Sequence, residues 1–157
     1  MHAPSIERDI LIAAPPAVVW RTVTEPDQIT RWFSDAAEVE LRPGGQGLLT
    51  FEGAASGKPQ TVPIVVVDAD EPHRFAFRWM HPDGAEAGED NSLLVEFTLT
   101  AEGQGTRLRV AESGLDRIGW TPEQVRAYTA EHEDGWERHL RLLADLHSRQ
   151  AGVAAGR

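Results

Sequence analysis

The chain contains no cysteine, which excludes disulfide scaffolds, thiol nucleophiles and cysteine-ligated zinc. Lysine is almost missing as well: Lys58 stands alone, and the remaining basic residues are arginines. Cations are outnumbered, with 15 Lys+Arg against 25 Asp+Glu, for a formal charge of −10. Such a balance argues against a general binder of nucleic acid or anionic membranes. Long apolar runs are lacking too. The longest, Val62 to Val67, is interrupted by Pro63 and falls far short of a bilayer. The opening Met1-His2-Ala3-Pro4 has no basic segment followed by an apolar stretch, so no signal peptide is expected. What is present is a hydrophobic share of 41% in 157 residues, enough for one core and too much for a disordered chain. The expectation is one soluble, cytoplasmic, acidic domain over residues 1–150. Residues 151–157, small and Gly-rich, form a flexible tail.

Hydrophobic periodicity sets the order of elements. Ile6 to Ala13 alternates imperfectly, with Ile6, Arg8, Ile10 and Ile12 on one face of a strand. Pro15-Pro16 stops it and opens a helix carrying Val18, Val19, Trp20 and Val23. Pro26 begins a second short helix leading to Ile29, Trp32 and Phe33. The period then becomes two. Glu38 to Leu41, Leu48 to Phe51, Val62 to Asp68, Phe75 to Trp79, Leu93 to Thr100 and Arg107 to Val110 read as strands. Gly44-Gly45-Gln46-Gly47 is a hairpin turn, because it lacks the lysine and following helix that a phosphate cradle needs. Gly53 to Pro59 is a second loop. Thr121-Pro122-Glu123 is a helix entry. Behind it Val125, Tyr128, His132, Trp136, His139, Leu140, Leu143, Leu146 and His147 recur at three- and four-residue steps. They mark one face of an amphipathic helix of about seven turns.

The fold class that follows is α+β. A curved antiparallel sheet of six to seven strands wraps around a long C-terminal helix, with two short helices after strand 1. A long helix across a bent sheet cannot touch it everywhere, so a cavity remains between them. This order resembles the helix-grip arrangement of the START-like (SRPBCC) superfamily. The local matches resemble the C-terminal domain of the activator of the 90-kDa heat-shock protein ATPase (Aha-type). They are Ile10 to Trp20, Thr24-Glu25-Pro26 through Arg31-Trp32-Phe33, Arg42-Pro43-Gly44-Gly45, Glu112-Ser113-Gly114-Leu115, and Gly135-Trp136 with Leu140 and Leu143. The resemblance implies fold and family from about Ile6 to about Leu146. Its members include ligand carriers, polyketide cyclases and stand-alone bacterial proteins, and it transfers no catalytic residue. It also raises a chaperone partner or a homodimer as interaction readings. The eukaryotic activator's additional N-terminal domain, which makes much of its chaperone contact, has no room here.

The expected function is binding of a small hydrophobic molecule in the cavity. Its expected lining is Phe51, Phe77, Trp79, Phe97, Val110, Tyr128, His132 and Trp136, with no metal and no cofactor. Phe75, Phe77 and Trp79 share a strand face that is either ordinary core or a stacking surface. Trp20, Trp32 and Phe33 pack the small helices onto the sheet, and Trp32 and Phe33 are also placed to close the pocket mouth. His132 and His139 lie seven apart on one helix face, and the spacing His-Glu-x-x-Trp is not a metal motif. His132 is either a polar group inside a greasy cavity or hydrogen-bonded core. Glu112 shares the parity of Leu108 and Val110. If the strand continues, its carboxylate enters the pocket and can serve acid–base chemistry. The favoured expectation is that the strand ends or bulges and Glu112 is solvated. Arg8, on an apolar face, pairs with an acid or meets an anionic ligand, and His81 is a candidate for the rim. Glu86, Glu89 and Asp90 form an acidic loop with no base nearby in sequence. An enzyme using His132, Glu112 and Tyr128 on a polyketide-like substrate is the rival reading. Nucleophilic catalysis has no positive sign: Ser56 and Ser113 lie in no Gly-x-Ser-x-Gly elbow.

Overall fold

The computed structural model describes residues 5–52, 58–82 and 84–155, the last seven of these by backbone alone. The element order is β1 (Ser5–Ile12), α1 (Pro16–Thr24), α2 (Pro26–Ile29), β2 (Ala36–Val39), β3 (Gln46–Phe51), β4 (Gln60–Asp70), β5 (Arg74–Trp79), β6 (Leu93–Glu102), β7 (Gly105–Ser113) and α3 (Pro122–Ala155). Seven strands form one antiparallel sheet in the order β1-β7-β6-β5-β4-β3-β2. The six strands β2 to β7 make a meander, and β1 pairs with the last of them, Ile6 opposite Glu112 and Ile10 opposite Leu108. The sheet is curved and open, and α3 crosses its concave face: a helix-grip fold.

Local chemistry accounts for the boundaries. Pro15 and Pro16 end β1 and start α1, with Pro16 at a first-turn position where its missing N–H is not needed. The turn after β2 needs its glycines. Gly44 has φ +83°, and a Cβ on Gly45 would sit 2.1 Å from the Glu40 carbonyl oxygen. Pro63 lies in β4 opposite Leu48 of β3, on a stretch that does not yet pair with β5, so no ladder bond is lost. β4 is longer than its apolar run suggested, and its register against β5 shifts between Val66 and Asp68. At the start of α3 the Thr121 hydroxyl accepts from the Gln124 N–H at 3.1 Å, while the Gln124 side chain accepts from the Thr121 N–H at 2.8 Å. This is a reciprocal capping box. α3 has 34 residues, about nine turns rather than seven, and runs into the segment expected as tail. Residues 53–57 of the expected second loop, with Ser56, lie outside the described residues.

The core sits between the concave face, α1–α2 and α3. Trp20 meets Phe75 edge-on at 6.4 Å, Phe75 stacks with Phe97 at 6.2 Å, and Trp32 meets Phe97 edge-on at 6.1 Å. Trp32 is buried and its indole donates to the Thr22 carbonyl at 2.9 Å, which fixes α1 against the segment after α2. From α3, Trp136, Leu140 and Leu143 enter this core. The opposite face of β1 and β7 is charged: Arg107 pairs with Asp9 and Glu102, and Arg109 with Glu7. None of these pairs is buried, and each contributes little.

Candidate functional site

A hollow of about 640 Å³ lies between the sheet and α3, within the range of small-molecule sites. Its wall is built by Phe33 and Asp35 after α2, Phe51 of β3, Gln60 and Val62 of β4, Trp79 and Met80 at the end of β5, and a stripe of α3. The stripe is His132, Gly135, Trp136 and His139, at the spacing that puts residues on one helical face, flanked by Glu131 and Arg138. The floor is aromatic. Phe33 stacks on Trp136 at 5.2 Å, lies 6.0 Å from Trp79, and meets Phe51 edge-on at 5.4 Å. The rim is polar, with Asp35, Gln60, Glu131 and Arg138 exposed. Gly135 is the gap in the stripe: a Cβ built there meets no heavy atom within 4 Å. Met80 has φ +70°, rare for a side-chain-bearing residue. The left-handed step ends the strand alternation, and both Trp79 and Met80 line the hollow.

At one end of this site Glu112 is fully buried, 0% exposed. β7 runs through it without a break in register, Val95 of β6 on one side and Ile6 of β1 on the other. The expected bulge and solvated side chain are therefore overturned. The reason is tertiary: three donors and one imidazole nitrogen converge on the carboxyl group. Trp79 Nε1 donates to Oε2 at 2.8 Å, and the Tyr128 hydroxyl donates to the same oxygen. Trp136 Nε1 donates to Oε1 at 3.0 Å, and His132 Nδ1 lies 3.2 Å from Oε1. Indole and phenol groups supply what water would have supplied. Burial, followed by the field of Glu112, pushes the Tyr128 hydroxyl far above its ordinary range, so it stays a donor. His132 is held on three sides. Its ring stacks on Tyr128 at 3.7 Å and 17°, meets Trp79 edge-on at 6.0 Å, and turns Nδ1 to Glu112. The side chain keeps 20% of its surface and lines the hollow.

Of the eight residues expected to line the site, Phe51, Trp79, His132 and Trp136 do. Tyr128 stands one step behind, against His132 and Glu112. Phe77, Phe97 and Val110 are packed in the core; Phe77 and Phe97 border only a void of about 10 Å³ beside Trp32. Trp32 belongs to the core, whereas Phe33 faces the hollow. Arg8 pairs with Glu133 of α3 at 3.2 Å, the acid partner among its two expected roles. The acidic loop does have a base: Glu89 pairs with Arg117 at 3.3 Å. His139 Nδ1 lies 3.0 Å from the Trp32 carbonyl oxygen. His81 is not among the lining residues, and its Nδ1 is buried without a hydrogen-bond partner among the described residues. Among the described residues no group of three or more His, Cys, Asp or Glu is placed to hold a metal ion, and no helix is long and apolar enough to cross a membrane.

Two histidines give a pH expectation. Burial is the largest cause holding His139 and His147 below the ordinary value of 6.5. The unfolded chain then binds protons that the folded chain refuses. Stability from these sites is complete above about pH 6.5 and is lost as pH falls from there through the folded values. The denaturant midpoint should drop on acidification from pH 7.5 to pH 5. The His139→Gln and His147→Gln variants should show a shallower drop; an unchanged slope in both would refute this assignment.

The bent sheet gripping one long helix over a hollow defines a member of the START-like helix-grip superfamily. The chain belongs within it to the family described as Activator of Hsp90 ATPase homolog 1-like protein, whose model matches residues 13–148. Solved structures agree on the fold. Protein MLL2253 from Mesorhizobium loti is 24% identical over 93% of this chain and 98% of its own, with a TM-score of 0.72. Protein NE0264 from Nitrosomonas europaea is 19% identical over 93% and 95%, with a TM-score of 0.74. CalU16 from Micromonospora echinospora is 24% identical over 94% and 78%, with a TM-score of 0.64. No curated protein matches the chain.

Proposed function

We propose that this protein binds a small, flat, largely apolar molecule in the hollow between sheet and α3, in the cytoplasm. The observation that carries this reading is the aromatic floor of Phe33, Phe51, Trp79 and Trp136 beneath a polar rim, enclosing about 640 Å³. Each square ångström of apolar ligand surface removed from water contributes roughly 25 cal/mol, and ring stacking adds about 0.5–1.5 kcal/mol per pair. Phe51, Trp79, His132 and Trp136 touch the ligand, Tyr128 acts through His132, and Phe77, Phe97 and Val110 support the floor. Native mass spectrometry of protein freshly purified from its own host should show a mass excess that disappears on denaturation. Bare protein there, together with unquenched tryptophan fluorescence on titration with naphthalene, would remove the reading.

One observation favours a second reading. The Glu112–His132 contact is the arrangement of a carboxylate that fixes an imidazole for proton transfer, so the same hollow can serve an enzyme. Turnover with a bell-shaped pH dependence would favour it over saturable binding alone.

A further inference from the structure

We infer that the ligand carries an acidic O–H, of the phenol or enol class, and that it binds as the anion with its proton on His132 Nε2. This rests on the proposed binding role of the hollow and adds the chemistry of its polar end. Three neutral donors (Trp79, Trp136 and Tyr128) already satisfy the Glu112 carboxylate. His132 Nδ1 lies 3.2 Å from Glu112 Oε1, and in the proposed complex Nδ1 is the donor to that oxygen and Nε2 the acceptor for the guest. An aliphatic or plain aromatic guest would leave this nitrogen dry and unpaired, which costs free energy.

Transfer is balanced at this site. The ligand O–H bond breaks, its electron pair stays on oxygen, and the N–H bond forms at Nε2. Before transfer the line of groups reads carboxylate, neutral imidazole, neutral phenol; afterwards it reads carboxylate, imidazolium, phenolate. The net charge is the same, and the imidazolium stands between two anions. The stack on Tyr128 and the edge contact with Trp79 hold the ring in place. The other charged and titratable groups about the hollow are Glu131, Arg138 and His139 of α3 and Asp35 after α2. Of these, Glu131, Arg138 and Asp35 are exposed at the rim, where solvent screens them.

The test uses 4-nitrophenol, whose phenolate absorbs at longer wavelength than the phenol, beside its methyl ether 4-nitroanisole and naphthalene. At a pH where free 4-nitrophenol is protonated, the complex should show the phenolate band. The ether should bind about tenfold more weakly or worse, as expected for losing a charge-assisted hydrogen bond. Glu112→Gln and His132→Asn should each abolish the band and bring the ratio of phenol to ether affinity close to one. If Glu112→Gln fails to fold, His132→Asn decides alone. A neutral-phenol spectrum in the wild-type complex, or equal affinity for phenol and ether, overturns the inference and leaves the apolar site intact. No binding of any of the three compounds brings down both.

Discussion

Replacing Glu112 by alanine is expected to destabilise the fold by about 3–5 kcal/mol, the range for removing one partner of a buried charged cluster. Two indole N–H groups and the Tyr128 hydroxyl would lose their acceptor. Each orphaned buried donor costs about 1–3 kcal/mol, less than additively because they share one site. Native domains have only about 5–15 kcal/mol in all, so the variant sits near the folding threshold at 37 °C. Glu112→Gln keeps one carbonyl oxygen and should lose about half as much. The check is the urea midpoint at constant m-value. The loss should shrink in a Trp136→Phe background, where one donor is already gone. A cost under about 1 kcal/mol for the alanine variant would mean that the donors find other partners, and the buried hub would lose its meaning.

The same residue shows where sequence patterning stopped. Period-two alternation located the strands, and the three-and-four spacing on α3 located the helix face, because both periods come from backbone geometry. The parity of Leu108, Val110 and Glu112 points the carboxylate inward only if the strand continues past Val110, and the alternation does not say whether it continues, ends or bulges there. The compensation for burying the charge comes from Trp79 on β5 and from Tyr128, His132 and Trp136 on α3, which are 16 to 33 residues away in sequence. No local pattern records that convergence. The lining was legible to a similar depth. Strand alternation separates inward from outward, so Phe77, Phe97 and Val110 were indistinguishable from Phe51 and Trp79. Which inward positions meet a hollow and which meet solid core depends on where α3 and the α1–α2 pair cross the sheet. Trp32 and Phe33 carry the same sequence signal for the mouth, and of the two only Phe33 lines the hollow. Asp35, Gln60, Val62 and Met80 carried no signal, and the left-handed step at Met80 breaks the very alternation used to read the strand. Gly135 did carry one: a glycine on the apolar face of a long helix gives up about 1 kcal/mol of helix propensity against alanine.

That cost frames the last expected result, in which the hollow is filled from the helix side. A Cβ at Gly135 meets nothing within 4 Å, so Gly135→Ala should stabilise the fold by about 1 kcal/mol and leave room for a guest. Gly135→Leu and Gly135→Phe are expected to extend from that open position into the hollow that Gly135 lines. They should keep the fold at wild-type stability or better and weaken naphthalene binding by two orders of magnitude or more, the equivalent of about 2.7 kcal/mol. Trp136→Ala is a poorer probe. It removes a buried indole, typically about 3–5 kcal/mol, along with one donor to Glu112, so lost binding and lost folding would be confounded. The filled variants also separate the interaction readings: a chaperone-type contact on an outer surface would survive the filling, whereas a ligand-dependent role would not. Tight naphthalene binding by the Gly135→Phe variant, followed through tryptophan quenching, would show that the guest sits somewhere other than against this face of α3.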